Sequence, residues 1–143
     1  MIYLLDNNVL SALWKPKPDA QVEAWFFSTD WFLPVPVAAE IQEGAEASPS
    51  AARRLEISSK LDEFLKAYGA TVTDWEVEYA RTWGRLKHSP EVKRKPQSFW
   101  DSLIDAMGAR HGATVATRNG KDFRHARTFN PWIPEQSSGG MQG

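Results

Sequence analysis

The chain opens MIYLLDNNVL, where residues 2 to 5 are apolar without alternation and end in a carboxylate and two amides before Val9 and Leu10 resume. A short unbroken apolar run closed by a polar turn predicts a strand buried on both faces, as in a parallel sheet. The prolines of KPKPD make a loop, after which QVEAWFF places Val22, Trp25 and Phe26 on one side of a helix. Trp31 to Val37 is a second apolar run, in which Pro34 and Pro36 favour an edge strand or one that is ending. Helical spacing from Ala38 puts Ala38, Ile41 and Ala45 on one face with Glu40 to the side. A longer helix is predicted from Ser50 to Ala67, with Leu55, Leu61, Phe64 and Leu65 as its buried stripe.

Ala70 to Thr73 fits a short strand, and Asp74 stands where an N-cap belongs before a helix carrying Val77, Ala80 and Leu86. SPEVKRKPQS reads as a polar, basic loop. FWDSLIDAMGARHG reads as an amphipathic helix that Gly112 ends in a left-handed cap. Thr114 to Thr117 is a further buried strand, RNGKDF a turn, and Ala126 to Phe129 the last strand. Alternating helices and short apolar strands predict an α/β fold, a three-layer α/β/α domain with a mostly parallel central sheet. Residues 1–132 form that domain, and 133–143, small, polar and glycine-rich, a flexible tail.

Composition narrows the chemistry. At 143 residues with 42% hydrophobic and 24% charged positions, the chain is an ordinary globular domain. It has no cysteine, so disulfide frameworks and thiolate metal sites are excluded, and a reducing, cytoplasmic setting is expected. The start lacks a basic leader, and WFLPVPVAA is far shorter than the ~20 residues of a spanning helix, which predicts a protein neither exported nor membrane-embedded. The net charge of −1 hides a gradient: residues 1–50 hold two basic and seven acidic residues, whereas 81–130 hold eleven basic and four acidic. That bias fits a nucleic-acid surface or a solvated helix face.

In a parallel sheet, ligands bind beyond the carboxyl ends of the strands. Asp6 follows the first strand, Glu40 lies near the start of the helix after the second, Asp101 opens the late helix, and Asp122 sits in the turn after VAT. Singly, each has a plain structural use as turn former, first-turn acid or cap. Jointly, four converging carboxylates would raise one another's pKa unless a cation resolved the conflict. Hard oxygen donors suit Mg2+ or Mn2+, and such an ion matches phosphodiester hydrolysis.

MIYLLDNNVLSAL, PVAAEIQEG, FWDSLIDAMGARHGATVATRNGKDF and FNPW, in that order, resemble the PIN domain of VapC-type toxins over residues 1 to about 132. The resemblance implies a Rossmann-like α/β/α fold and a Mg2+- or Mn2+-dependent endoribonuclease acting on RNA, with transfer or ribosomal RNA as the common targets. It also implies homodimerisation and neutralisation by a small VapB-type antitoxin protein. Asp6, Glu40, Asp101 and Asp122 match the family's acids, and so are the expected catalytic and metal-binding residues. Asp6 and Asp101 would be the principal ligands, with Glu40 and Asp122 binding directly or through water. Asn119 matches the turn asparagine that contacts substrate or braces the site, Asn8 matches a loop-bracing asparagine, and Arg118 is placed to meet a phosphate. The rival is a non-catalytic α/β binding domain whose acidic pocket holds a metal or a basic partner.

Asn7 departs from the family, standing where a threonine or serine hydroxyl is usual, although an amide can donate and accept in its place. Asp105 is an additional acid one turn after Asp101, read as an outer acid of the site or as a solvated or salt-bridged side chain. Arg118, Lys121, Arg124 and Arg127 surround the acidic turn, and Lys93, Arg94 and Lys95 precede the late helix; all are candidates for phosphate contacts. Trp14, beside Lys15 and Lys17, is a packed tryptophan or a base-stacking one. His88, His111 and His125 have no ligand spacing and are assigned no catalytic part.

Overall fold

A computed structural model of the protein describes residues 1–133. Its sheet has the order β3-β2-β1-β4-β5, with every neighbouring pair parallel. The strands are β1 (Tyr3–Leu5), β2 (Trp31–Pro34), β3 (Val72–Thr73), β4 (Thr114–Ala116) and β5 (Arg127–Phe129). The helices are α1 (Asn7–Leu13), α2 (Ala20–Ser28), α3 (Val35–Ala47), α4 (Ala51–Tyr68), α5 (Val77–Lys87), α6 (Pro90–Arg94) and α7 (Phe99–His111). Parallel neighbours cannot be joined by hairpins, so helical crossovers cover both faces of the sheet. The result is the expected three-layer α/β/α arrangement.

Alternate residues of β1 serve different layers. Leu5 joins the larger core with Val9, Val22, Phe26, Leu33, Ile41, Leu61 and Phe64. Leu4 faces the smaller one with Tyr79 of α5, Met107 of α7 and Ala113. Burying a Val, Leu, Ile, Phe or Met side chain in this way contributes roughly 1.5–3 kcal/mol. An aromatic cluster of Phe26, Trp31, Phe64 and Tyr68 fastens α2 and α4 to β2, with Phe26 and Trp31 stacked at 4.6 Å.

The chain moves outward from β1 through β2 to β3 and then returns to place β4 on the other side of β1. The strand order therefore reverses between β1 and β4, and the crevice beyond their carboxyl ends is where such sheets bind ligands. Asp6 and Thr117 stand at that point.

Several elements differ from the sequence expectation. The polar break after Leu5 is no extended turn, because Asp6 accepts from the Asn7 amide at 2.8 Å as the N-cap of a helix that starts at once. β2 is an inner strand and not an edge: Pro34 closes it, and Pro36 occupies the first turn of α3, where its missing N–H has no partner to lose. In α4 Leu55 is 69% exposed, while Leu61 and Phe64 carry the packing. α5 starts after Glu76 instead of Asp74, and it buries Tyr79 and Thr82 while Val77 is 72% exposed and Ala80 lies at the surface. The predicted loop 89–98 contains the short helix α6, capped by the Ser89 hydroxyl. Gly112 ends α7 with φ 64°, as its sequence position indicates. Beyond Ile133 the tail lies outside the described residues. Among the described residues, no helix is long and apolar enough to cross a membrane.

Candidate active site

Asp6 extends the β1–β4 ladder by one residue, its amide donating to Ala116 O at 3.0 Å, which aims the side chain into the switch-point crevice. The carboxylate is only 5% exposed. Its Oδ2 accepts from Thr117 Oγ1 at 2.7 Å and from Asn8 Nδ2 at 3.4 Å. Thr117 Oγ1 in turn accepts from Asn8 Nδ2 at 3.1 Å and from the Asn119 amide at 3.0 Å. Asn8 Oδ1 accepts from the Arg118 amide at 3.2 Å. One network thus locks the start of α1 to the turn after β4, and Asn8 is its brace. Burial is the main cause that raises the Asp6 pKa and the Asp122 charge adds to it, whereas the Thr117 and Asn7 hydrogen bonds pull it down.

Glu40 projects from the second turn of α3. Its Oε1 is buried without a hydrogen-bond partner. Desolvation, followed by the charges of Asp6, Asp101 and Glu43, pushes its pKa from 4.5 up to about 7 against the opposing Asn7 side chain. Asn7 anchors its own carbonyl to Ser11 Oγ at 2.8 Å, which leaves its amide nitrogen for Glu40. The residue in the usual hydroxyl position thus acts here as a donor toward an acid.

Asp101 lies in the first turn of α7, where Ser98 is the cap and accepts from the Asp101 amide at 3.2 Å. Its pKa rises to about 6, chiefly through burial, with Asp6, Asp122 and Asp105 adding and Ser98 opposing. Asp122 closes a 3-10 turn over Gly120–Asp122 that is pinned by its amide to Asn119 O at 2.9 Å and by Gln97 Nε2 to its carbonyl at 3.0 Å. Four elements distant in sequence therefore deliver acids that feel one another's charge. Among the described residues, however, no three carboxylate or imidazole groups are arranged to hold one metal ion on their own. The acids form a loose ring and not a closed cage.

Asn119 and Arg118 lie exposed on the same turn, and the Arg118 guanidinium sits over the Trp132 ring at 4.8 Å. Arg124 is turned back onto the protein through its Nε and Nη1. Its guanidinium donates to Lys95 O at 3.0 Å, to Phe123 O at 3.3 Å and to Lys121 O. Trp14 is half-buried against the larger core and lines a groove of about 520 Å³ beside Asn7 and Glu40.

Asp105 is not solvated: it is 1% exposed. It accepts from the backbone N–H groups of Arg124, His125 and Ala126 and from Gln97 Nε2, and it faces His125 Nδ1 at 3.2 Å. His125 also reaches Glu91 at 3.1 Å, and His111 pairs with the Tyr79 hydroxyl. Thr117 was absent from the sequence-derived site. Its one signal is a hydroxyl at the carboxyl end of the run TVAT, which Thr114 also opens.

The fold and the crevice define a parallel-sheet α/β domain with acids collected where the strand order reverses. A family model, the PIN domain, matches residues 3–128, and the chain belongs to that family. It is 32% identical over 137 residues to the VapC ribonuclease Y4jK of Sinorhizobium fredii, covering 92% of this chain and 98% of the relative. Toxin FitB of Neisseria gonorrhoeae is 27% identical over 135 residues, 90% of this chain and 97% of that one. The crystal structure of FitAcB from the same organism superposes with a TM-score of 0.76 at 26% identity, covering 94% of this chain and 100% of the other.

Proposed function

We propose that the protein is a metal-dependent endoribonuclease and acts as the toxin of a toxin–antitoxin pair. The observation that carries this reading is the buried, unpartnered Glu40 Oε1 within the electrostatic reach of Asp6 and Asp101. An orphaned buried acceptor beside two more acids is a standing deficit of positive charge. Its relatives, a VapC ribonuclease and the toxin FitB, support the same activity.

The donors fit Mg2+ or Mn2+: they are hard oxygens, and the chain has no thiolate. The loose ring also fits, since Mg2+ keeps several waters and takes only one or two carboxylates. Asp6 and Asp101 would be the principal ligands, with Glu40 and Asp122 contributing directly or through water. When bound, such an ion supplies Lewis acidity toward a phosphoryl oxygen and offsets the charge of the acids.

The chain's own residues do the rest. Thr117 and Asn8 hold Asp6 in one orientation. Glu40, its Oε1 buried and unpartnered beside Asp6 and Asp101, stands on the α3 side of the crevice to orient an attacking water or the ion. Arg118 and Asn119, exposed beside the crevice, are the groups of this turn open to the substrate. Because water attacks and the ribose 2′-hydroxyl takes no part, the products carry a 5′-phosphate and a 3′-hydroxyl. A small VapB-type antitoxin, a homodimer and a cytoplasmic location complete the proposal.

The test is cleavage of structured RNA with added Mn2+, blocked by chelator and abolished in Asp6→Asn while circular dichroism stays native. Full activity in that variant would overturn the mechanism. Cation binding without any cleavage would favour a non-catalytic acidic pocket. Growth arrest on expression, relieved by a co-expressed neighbouring small gene, tests the biological role.

A further inference from the structure

A second groove along α1, of about 430 Å³, is lined by Asn8, Lys15, Lys17, Asp19, Arg118 and Trp132 among others. Its charge is lopsided. The Asp19 carboxylate is engaged as the cap of α2, accepting from the amides of Gln21 and Val22 at 2.9 and 3.1 Å. Lys15 and Lys17 are exposed, and among the described residues neither forms a salt bridge. In the groove beside Asn7 and Glu40, which Lys15 also lines, the other two cations are engaged: Arg53 with Glu56 at 2.6 Å and Lys60 with Trp14 O at 3.1 Å.

The Lys15–Lys17 groove is lined in addition by the Arg118–Trp132 pair, in which the guanidinium carbon lies over the indole at 4.8 Å from its centroid. That pair is tied to the acids by two hydrogen bonds in series, from the Arg118 amide to Asn8 Oδ1 and from Asn8 Nδ2 to Asp6 Oδ2. Stacked arginine and aromatic surfaces are what unpaired bases use, and free lysines beside them suit the backbone of a single strand.

We propose that this groove docks single-stranded RNA next to the bond to be cut, with a base stacked on the Arg118–Trp132 pair and the adjoining phosphates held by Lys15 and Lys17. The proposal rests on the ribonuclease reading and names its substrate as an unpaired segment entering along α1. Asn8 couples the two, so the docked nucleotide and Asp6 keep a fixed relation.

Binding is measured by fluorescence anisotropy of a short labelled single-stranded RNA, using the full chain in the Asp101→Asn background so that cleavage does not interfere. Trp132→Ala is expected to weaken binding about tenfold, as loss of one stacked base does, and Trp132→Phe to recover most of it. Lys15→Gln and Lys17→Gln, both at exposed positions, are each expected to flatten the salt dependence of log K by about 0.7. An abasic strand of equal length should not respond to Trp132→Ala. In the active chain the losses fall on KM.

Equal RNA binding by parent, Trp132→Ala and the lysine variants would overturn the proposal. So would an equal Trp132 effect on the abasic strand, or displacement of the RNA by an acidic peptide that binds the groove more tightly. If the binding pattern holds but the wild-type chain cleaves no RNA with Mn2+, the enzyme reading falls and the docking groove stands. If the chain cleaves RNA with an unchanged KM in Trp132→Ala, the groove falls alone.

Discussion

Thr117 Oγ1 donates a 2.7 Å hydrogen bond to Asp6 Oδ2, joining residues 111 positions apart at the point where the strand order reverses. Both side chains are buried, and this bond opposes the desolvation that raises the Asp6 pKa. Thr117→Val keeps the volume and removes the donor. It also strips Asn8 and the Asn119 amide of a shared acceptor. The expected outcome is a loss of about 2 kcal/mol in urea denaturation, the range for a hydrogen bond to a charged group. The acid limb of the pH–cleavage profile should move to higher pH, because Asp6 then ionises later. An unshifted limb would show that Asp6 ionisation does not limit cleavage.

Glu40 and Asp101 predict an inverted dependence of stability on pH in the metal-free protein. Their folded-state values, about 7 and about 6, exceed their ordinary values of 4.5 and 3.8. Between the two sets the folded protein binds more protons than the unfolded chain, so stability is greatest below about pH 4 for these groups and declines as pH rises to 7. With chelator present, Glu40→Gln should raise the melting temperature at a pH above 7 and flatten the upper part of the decline. Mn2+ should stabilise the wild-type chain more above pH 7 than at pH 5, because protons no longer compete. A melting temperature that rises steadily from pH 4 to pH 7, unchanged by Glu40→Gln, would contradict the electrostatics described for the crevice.

These relationships mark the boundary of what the sequence reveals. β1, α7 and its Gly112 cap are legible because strand runs, helical spacing and glycine caps are local properties. The prolines of β2 are not, since Pro34 reads alike at an edge and at the end of an inner strand, and only the sheet order separates the two. Leu55 and Val77 keep helical spacing yet face solvent, because periodicity does not say which apolar stripe finds a neighbour. The four acids are visible as strand-exit residues. Thr117 is not, and Asp105 is visible only as an extra acid whose role stays open, because a buried polar residue is explained by its partners, and those of Asp105 lie beyond its own helix.

Gly108 of α7 packs where a side chain does not fit. A Cβ there would stand 2.7 Å from the Ala126 Cβ and 3.3 Å from Val115 Cγ2. The Ala126 methyl carbon cannot retreat unless its backbone moves, so Gly108→Ala is expected to destabilise by about 1–3 kcal/mol despite the higher helix propensity of alanine. Gly108 lies about two turns from Asp101, so the pH profile of the folded variant should match the parent. Thermal melts and pH–rate measurements on the same preparation check both halves.

Gln97 offers the sharpest separation of positioning from folding. Its Nε2 donates to Asp105 Oδ2 at 3.2 Å and to Asp122 O at 3.0 Å, so one amide links the buried acid of α7 to the turn that presents Asp122. Asp105 still accepts three backbone N–H groups when Gln97 is absent. Gln97→Leu should therefore lower stability by only about 1 kcal/mol, while cleavage falls several-fold as the turn loosens. Asp105→Asn turns an amide nitrogen toward groups that are themselves donors, and it should lower stability by about 3 kcal/mol, the scale of a broken buried network. If Asp122 is held through this bridge, raising Mn2+ should partly rescue Gln97→Leu but leave the reduced melting temperature of Asp105→Asn largely in place. Equal rescue of both variants would place the defect in folding alone and remove Gln97 from the positioning of the acid.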